Sequence, residues 1–446
     1  MDAIAASEQA QETTGLRGRI SRALENPTVL GLLFVAPAEL LLLIFLAYPF
    51  LLGLWLGFTD TIVGRDGNFI GFENYAWLLE DPTFWLTCFN TFLYTLVAVI
   101  FKAVLGIGLA VILNRDFKGK GFMRAIVLLP WIIPTALSAL CFWWLYDSTF
   151  SGISWFLMKL GIIDHFIDFL GDPWNARWSL IAANVWRGVP FFTIGLLAGL
   201  QTISPDLYEA AEIDGAGAWK KFRKITLPLL TPLLTIVTVF STIWTFADFQ
   251  LVWIITKGGP AGATHIFGTL SYQRAMQGGQ FGEGAAISNL MLPILITCVF
   301  IAFVFMRKED ELMVIERVGS IVIKFYVPLA AYLIFLLFPF YWMVNTVFKS
   351  NTELYNLDLN PFYIHSPTLH NIVRLFTETI FLRWMANTFF VAIMATLISL
   401  AASLLAAYAI QRLQFKTSGP TGVAIFLGYL VPQTILFIPL AHIVFK

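Results

Sequence analysis

Two sets of residues have a spacing that suits recognition of a polar solute. Asn184, Gly188 and Phe191 follow one another at steps of four and three, so on a helix they share one face. Ser241, Trp244, Thr245 and Asp248 do the same further along the chain. If the two helices run antiparallel, Asn184 pairs in depth with Asp248, Gly188 with Trp244 and Phe191 with Ser241. Together they supply a carboxylate, an amide, hydroxyls and an aromatic plate, which are the groups a carbohydrate ring needs. Packing of small residues between helices is the alternative, above all for Gly188 and Ser241. Asp248 is the hardest to explain that way, because a carboxylate inside a membrane is expensive. Glu39 and Lys102 also lie inside apolar stretches. They are expected to form an intramembrane ion pair, with separate snorkelling groups as the alternative.

Bond-breaking chemistry finds no such support. There is no G-x-x-x-x-G-K-[ST] phosphate loop, since Gly119-Lys120 lacks both the upstream glycine and the following hydroxyl. His165, His265, His365, His370 and His442 are scattered, and H-E-x-x-H does not occur. Cys88, Cys141 and Cys298 match neither a metal motif nor a disulfide framework. No catalytic residue, metal set or cofactor is expected. The chain is expected not to be an enzyme, and energy for any driven transport must enter from elsewhere.

The elements that would hold these residues are set by composition. Of 446 residues, 58% are hydrophobic and 13% charged, and the mean hydropathy is +0.77. Soluble domains carry about 25% charged residues, so the solvent here must be largely lipid. The net charge of +0 gives no sign of a nucleic-acid partner. Apolar stretches long enough to cross a bilayer run over Val29–Phe58, Thr87–Leu113, Phe122–Tyr146, Ser179–Leu200, Leu229–Ile255, Gly284–Met306, Ile321–Phe348, Met385–Ile410 and Thr421–Phe445. Within lipid the backbone must satisfy itself, so the fold is expected to be all-α, a polytopic transmembrane bundle of about nine spans. Arg17, Arg19 and Arg22, then Arg115, Lys118, Lys120 and Arg124, then Lys220, Lys221, Arg223 and Lys224, fall on one side of the bundle. Acidic loops fall on the other, so the N-terminus is expected to be cytoplasmic.

An internal repeat is present. Asn74, Phe84, Asn90-Thr91-Phe92 and Arg115 recur as Asn371, Phe381, Asn387-Thr388-Phe389 and Arg412 at one offset. Upstream, Pro37 and Tyr48-Pro49-Phe50 echo Pro328 and Phe338-Pro339-Phe340, with a slightly longer loop following. Six spans separate the copies, so the repeat is parallel. It predicts a cytoplasmic segment 1–28, a complete six-span domain 29–306, a linker 307–320 and a partial second domain 321–446 of about three spans.

Between the fourth and fifth spans, 204–228 is far longer than a simple connector. Ser204 suits an N-cap with Pro205 at the first helical position, and Asp214-Gly215 suits a helix end. A helix–turn–helix is expected there. In this segment stand Glu209-Ala210-Ala211, then Gly215, then Ile225-Thr226-Leu227-Pro228, with Asp214, Ala216 and Phe222. This pattern resembles the signature of carbohydrate ABC importer permeases of the maltose type. The resemblance covers Val29 to Met306 as a whole permease, and Ile321 to Lys446 as the first half of a partner permease without a second signature.

The resemblance implies a permease in the bacterial inner membrane that moves a sugar, or a polyol or glycerol phosphate ester, inward by alternating access. It implies that Glu209, Ala210, Ala211, Asp214 and Gly215 seat in a cleft of a separate cytoplasmic ABC ATPase dimer. It also implies an extracytoplasmic solute-binding protein, a sugar site between the helices flanking the signature, and a polypeptide that completes the second half. Two other readings remain: an ion-coupled secondary transporter, which leaves 204–228 unexplained, and a truncated fragment that cannot transport.

Overall fold

The computed structural model describes residues 25–307, 321–356, 359–431 and 433–445. The basic residues before Glu25 and most of the expected 307–320 linker lie outside the described residues. Helix accounts for nearly all regular structure. The only extended pairings among the described residues are the isolated bridges Thr59–Phe69 and Ile62–Arg65. The principal helices are α1 (Pro27–Leu56), α2 (Pro82–Leu113), α3 (Lys120–Ile132), α4 (Thr135–Leu145), α5 (Pro173–Leu200), α6 (Pro205–Ile213), α7 (Ala218–Phe246), α8 (Phe281–Arg307), α9 (Ile321–Val347), α10 (Phe381–Leu413), α11 (Ser418–Leu430) and α12 (Gln433–Phe445).

Four of these begin with one device. Asn26-Pro27, Asp81-Pro82, Asp172-Pro173 and Ser204-Pro205 each place a capping side chain before a proline. The Asp172 carboxylate accepts from the N–H groups of Trp174 and Asn175 at 2.9 and 2.8 Å. Proline lacks the N–H that would otherwise be orphaned, and its fixed φ suits the first turn. The caps lie in polar sequence ahead of the apolar runs, so the spans start earlier than hydropathy places them.

Prolines also break spans. The expected span Phe122–Tyr146 is two helices, α3 and α4, bent by 88°. Ile133, just before Pro134, is extended at φ −66° and ψ 135°, as the residue before a proline prefers. The expected last span divides likewise into α11 and α12, with Val431 before Pro432 extended at φ −69° and ψ 119°. Among the described residues, six helices are long and apolar enough to cross a membrane, or seven with the bent pair as one span. The expected fifth span ends at Phe246, and Gln250–Ile255 is a separate short helix.

The chain forms two compact units whose boundaries differ from the domains expected from the repeat. One comprises residues 1–53 and 373–440; the other comprises 54–372 and 441–446. In the first, Val35 of α1 packs against Ala406, Ala409 and Phe415, and the Phe34 and Tyr408 rings lie 6.1 Å apart. The first span of copy one thus packs on the second span of copy two. In the other unit, α9 packs among the helices of copy one. Trp186, buried on α5, donates its indole N–H to the Leu336 carbonyl at 3.0 Å. The Cys141 thiol donates to the Pro339 carbonyl at 3.1 Å. Left without that acceptor, the buried indole N–H would cost about 1–3 kcal/mol. First spans are therefore exchanged between copies, which is why the units cut across the sequence domains.

The repeat itself has a structural counterpart. Asn74 donates to the carbonyls of Gly57 and Thr59 at 3.0 and 2.9 Å. Asn371 donates to those of Val347 and Lys349 at 3.1 and 2.9 Å. The acceptors are related by the shorter upstream offset and the asparagines by the longer downstream one, so the longer loop of copy two lies between them.

Candidate functional site

Helix α5 is the most buried span, with about two thirds of its apolar window covered. It packs against α2 and α7, which bring the remaining polar groups to its Asn184–Phe191 stretch. Asp248 follows the end of α7, where the helix breaks. Its Oδ2 accepts from Tyr94 Oη at 2.7 Å and from Asn184 Nδ2 at 3.1 Å. Its Oδ1 accepts from the Leu251 N–H at 3.3 Å, at the start of the short helix Gln250–Ile255. The expected Asn184–Asp248 pairing is therefore direct, and Asp248 also anchors the next helix.

Lys102 crosses from α2 into the same group. Its Nζ donates to Thr245 Oγ1 at 2.8 Å, and it lies within the electrostatic reach of Asp248 and Arg187. Gly188 makes this passage possible, because a Cβ there would stand 2.6 Å from Lys102 Cε. Lys102 thus finds its polar neighbours within its own unit. Glu39, its expected partner, belongs to the other unit, and within its own unit Lys102 is bonded to Thr245.

An aromatic group borders these polar atoms. The rings of Phe191 and Trp244 lie 5.0 Å apart at 61°, and Trp131 stacks on Phe191 at 5.1 Å. Trp131 also lies 5.6 Å from Trp244. Phe191 therefore pairs with Trp244 rather than Ser241, and Gly188 faces Lys102 rather than Trp244. Ser241 is buried on α7 one turn from Thr245. Sequence reasoning missed Tyr94, Trp131 and Arg187. The signal for Arg187 was available, since it is an ionisable residue inside a span, as Lys102 is.

Beside Tyr94 lies a cleft of about 240 Å³ that also meets Asn90, Arg177, Thr264 and Ile266. Asn90 spans it, accepting from Arg177 Nε at 2.9 Å and donating to the His265 carbonyl at 3.2 Å. His265 is buried between α7 and α8, and its Nδ1 lies 3.1 Å from Thr269 Oγ1. Burial pushes its imidazole down to about 4, with the Arg274 charge acting in the same direction. A larger cleft of about 490 Å³, lined by Trp144, Trp155, Trp342 and Lys349, contains none of the expected residues.

The signature segment is exposed. Ser204 Oγ accepts from the Asp206 N–H at 3.4 Å to open α6. Gly215, at φ +73°, closes it, with nothing within 4 Å of where a Cβ would stand. Its requirement is thus conformational, since a non-glycine residue strains in the left-handed region. The Glu212–Lys221 ion pair and a 2.9 Å bond between Tyr208 Oη and Thr226 Oγ1 brace α6 against the base of α7. Glu209, Ala210, Asp214 and Gly215 are exposed and Ala211 is half-buried. Ile213 is 88% exposed and Leu207 and Trp219 are open beside it, an apolar surface of the kind that marks a partner site.

Residues 102–345 match the family described as binding-protein-dependent transport system inner membrane component. The trehalose/maltose transport system permease MalF of Thermococcus litoralis is 37% identical over 269 residues, 60% of this chain and 90% of its own length. The sulfoquinovosyl glycerol transport system permease SmoG of Agrobacterium fabrum is 34% identical, over 63% of this chain and 92% of its own. In fold, the chain is similar to a bacterial ABC transporter involved in import of the acidic polysaccharide alginate, with a TM-score of 0.57, 23% identity, and coverage of 66% of this chain and 100% of that one. Residues 102–345 contain Lys102, Asn184, Thr245 and Asp248 of the bonded cluster and the exposed α6 segment, and by that match the chain belongs to the family of binding-protein-dependent inner-membrane transport components, a multi-pass membrane protein.

Proposed function

We propose that this chain is the permease through which a sugar or sugar-like solute enters the cell, driven by a separate ABC ATPase dimer. The observation that carries this reading is the braced and exposed α6 segment. Its open Leu207, Ile213 and Trp219 and its polar Glu209 make an exposed docking surface. Glu209, Ala210, Ala211, Asp214 and Gly215 present that surface to the ATPase, and α7 carries the resulting movement to Asp248. Family membership is the reason to set aside an ion-coupled secondary transporter.

The solute lies against Asn184, Gly188, Phe191, Ser241, Trp244, Thr245 and Asp248. Relatives named for trehalose/maltose and for sulfoquinovosyl glycerol support a sugar-like cargo. A solute-binding protein delivers it from outside; an alginate transporter of this fold is known in complex with a periplasmic protein bound to alginate pentasaccharide. On this reading the basic segments, including Lys220, Lys221, Arg223 and Lys224 after α6, face the cytoplasm together with the N-terminus. A second permease half is a further partner, and the exposed Asn387 and Thr388 of α10 face it.

The test is uptake by the assembled transporter carrying Glu209→Lys or Gly215→Pro. Both variants should insert normally, lose the ATPase on purification and reduce uptake at least about a hundredfold, a loss of about 3 kcal/mol or more in coupling. Normal uptake in both would end the proposal.

A further inference from the structure

We propose that the solute handled at the Asp248 cluster carries a negative charge, as a carboxylate or phosphate on a sugar ring, and that Arg187 receives that group. This inference rests on the sugar-import reading above and narrows its substrate class.

Three ionisable side chains meet here: Asp248, Lys102 and Arg187. The carboxylate is already engaged. One oxygen takes Tyr94 and Asn184, and the other takes the Leu251 N–H. Lys102 is held by Thr245 and lies near Asp248. Arg187 is left as the excess cation. Its Nε is buried with no acceptor, and the guanidinium lies 5.8 Å from the Trp131 ring. A cation within a span is expensive unless paired. A ring contact offsets only part of that, about 0.5–2 kcal/mol.

The neighbouring groups define the rest of the ligand. Asn184 Oδ1 is buried without a donor, and so is placed to accept from a sugar hydroxyl. Phe191 and Trp244 offer ring faces, and Trp244 is 37% exposed. A neutral sugar would use the aromatic plate and Asn184 but leave Arg187 unpaired. An acidic sugar satisfies all three. The guanidinium fork matches an oxyanion in two-point geometry, which Lys102, a point charge already bonded to Thr245, does not.

The experiment uses the assembled transporter in proteoliposomes, with labelled maltose, digalacturonate and glucose 6-phosphate as probes. Wild type should carry at least one of the two anionic probes in preference to maltose, and which one it carries separates a carboxylate from a phosphate ligand. Arg187→Gln should lower uptake of that probe roughly tenfold to a hundredfold, and Arg187→Lys should recover part of it. Thermal unfolding of both variants tracks folding independently of uptake. Transport of maltose alone, or anionic uptake unchanged in Arg187→Gln, overturns the charge assignment and leaves the sugar reading standing. Failure to carry any of the three while the ATPase remains coupled overturns both.

Discussion

Helices α2 and α10 carry the same Asn-Thr-Phe triplet at one offset, yet they live in different surroundings. On α2, Asn90 joins Arg177 to the His265 carbonyl, and Thr91 Oγ1 accepts from the Phe267 N–H at 3.2 Å. On α10, Asn387 and Thr388 are exposed. The local geometry survives in both: Thr91 donates back to the Thr87 carbonyl at 2.7 Å and Thr388 to the Trp384 carbonyl at 2.8 Å. A repeat therefore transmits what a helix makes by itself, while tertiary bonds depend on segments that follow. The solute chemistry is not repeated either. At the same offset Tyr94 and Lys102 become Val391 and Ser399, so the polar cluster is a property of copy one alone.

The largest effect should come from removing the centre of that cluster. Asp248→Leu takes the acceptor from Tyr94, Asn184 and the Lys102 field. Breaking a buried charge arrangement this way costs about 3–5 kcal/mol, and uptake should fall at least about a hundredfold while the ATPase still co-purifies. Undiminished uptake would mean that the solute chemistry does not reside in copy one.

Next in size is an acid effect confined to the copy-one bonding network. His265 titrates near 4 in the folded protein and near 6.5 when unfolded. The unfolded chain binds the proton first, so stability is full above about pH 6.5 and is lost as pH falls toward 4. The loss should approach about 3 kcal/mol at pH 4, read as a falling midpoint in denaturant titrations. His265→Gln should flatten that pH range. An unchanged slope in His265→Gln would assign the acid sensitivity elsewhere.

The smallest effect is the most direct contrast. Asn90→Ala orphans Arg177 and the His265 carbonyl and should destabilise the protein by about 2 kcal/mol. Asn387→Ala, in the chain alone, should change stability by less than about 0.5 kcal/mol. Equal values in the isolated chain would show that the copies are equivalent after all.

Much of this was legible in the residues. The helical class followed from 13% charge over 446 residues, and the Asn184–Asp248 pair followed from matched spacing on two antiparallel helices. The exposed turn at Gly215 followed from glycine after a short capped helix. Three things did not follow. Span starts slipped because Asp81 and Asp172 are polar and so fall outside hydropathy windows, although they are what opens the helices. Lys102 was assigned to Glu39 because two lone charges invite pairing, and its bond to Thr245, an uncharged residue on another helix, left no signal in the sequence. Trp131 was invisible because it comes from the broken third span, whose 88° bend sets its ring against Phe191. Linear spacing relates residues on one helix and does not reach a ring delivered across a kink.

The exchange of first spans has a consequence for synthesis. Roughly 340 residues separate Leu42, in α1, from Phe381, where its packing partner α10 begins. At about 5–20 residues per second, α1 waits tens of seconds in the bilayer before a ribosome delivers the surface that it packs on. Through that interval Val35 and its neighbours face lipid or an insertion chaperone. Joining both copies in one polypeptide keeps the waiting helix tethered to its eventual neighbour, so the meeting depends on tether length and not on the abundance of a second messenger RNA.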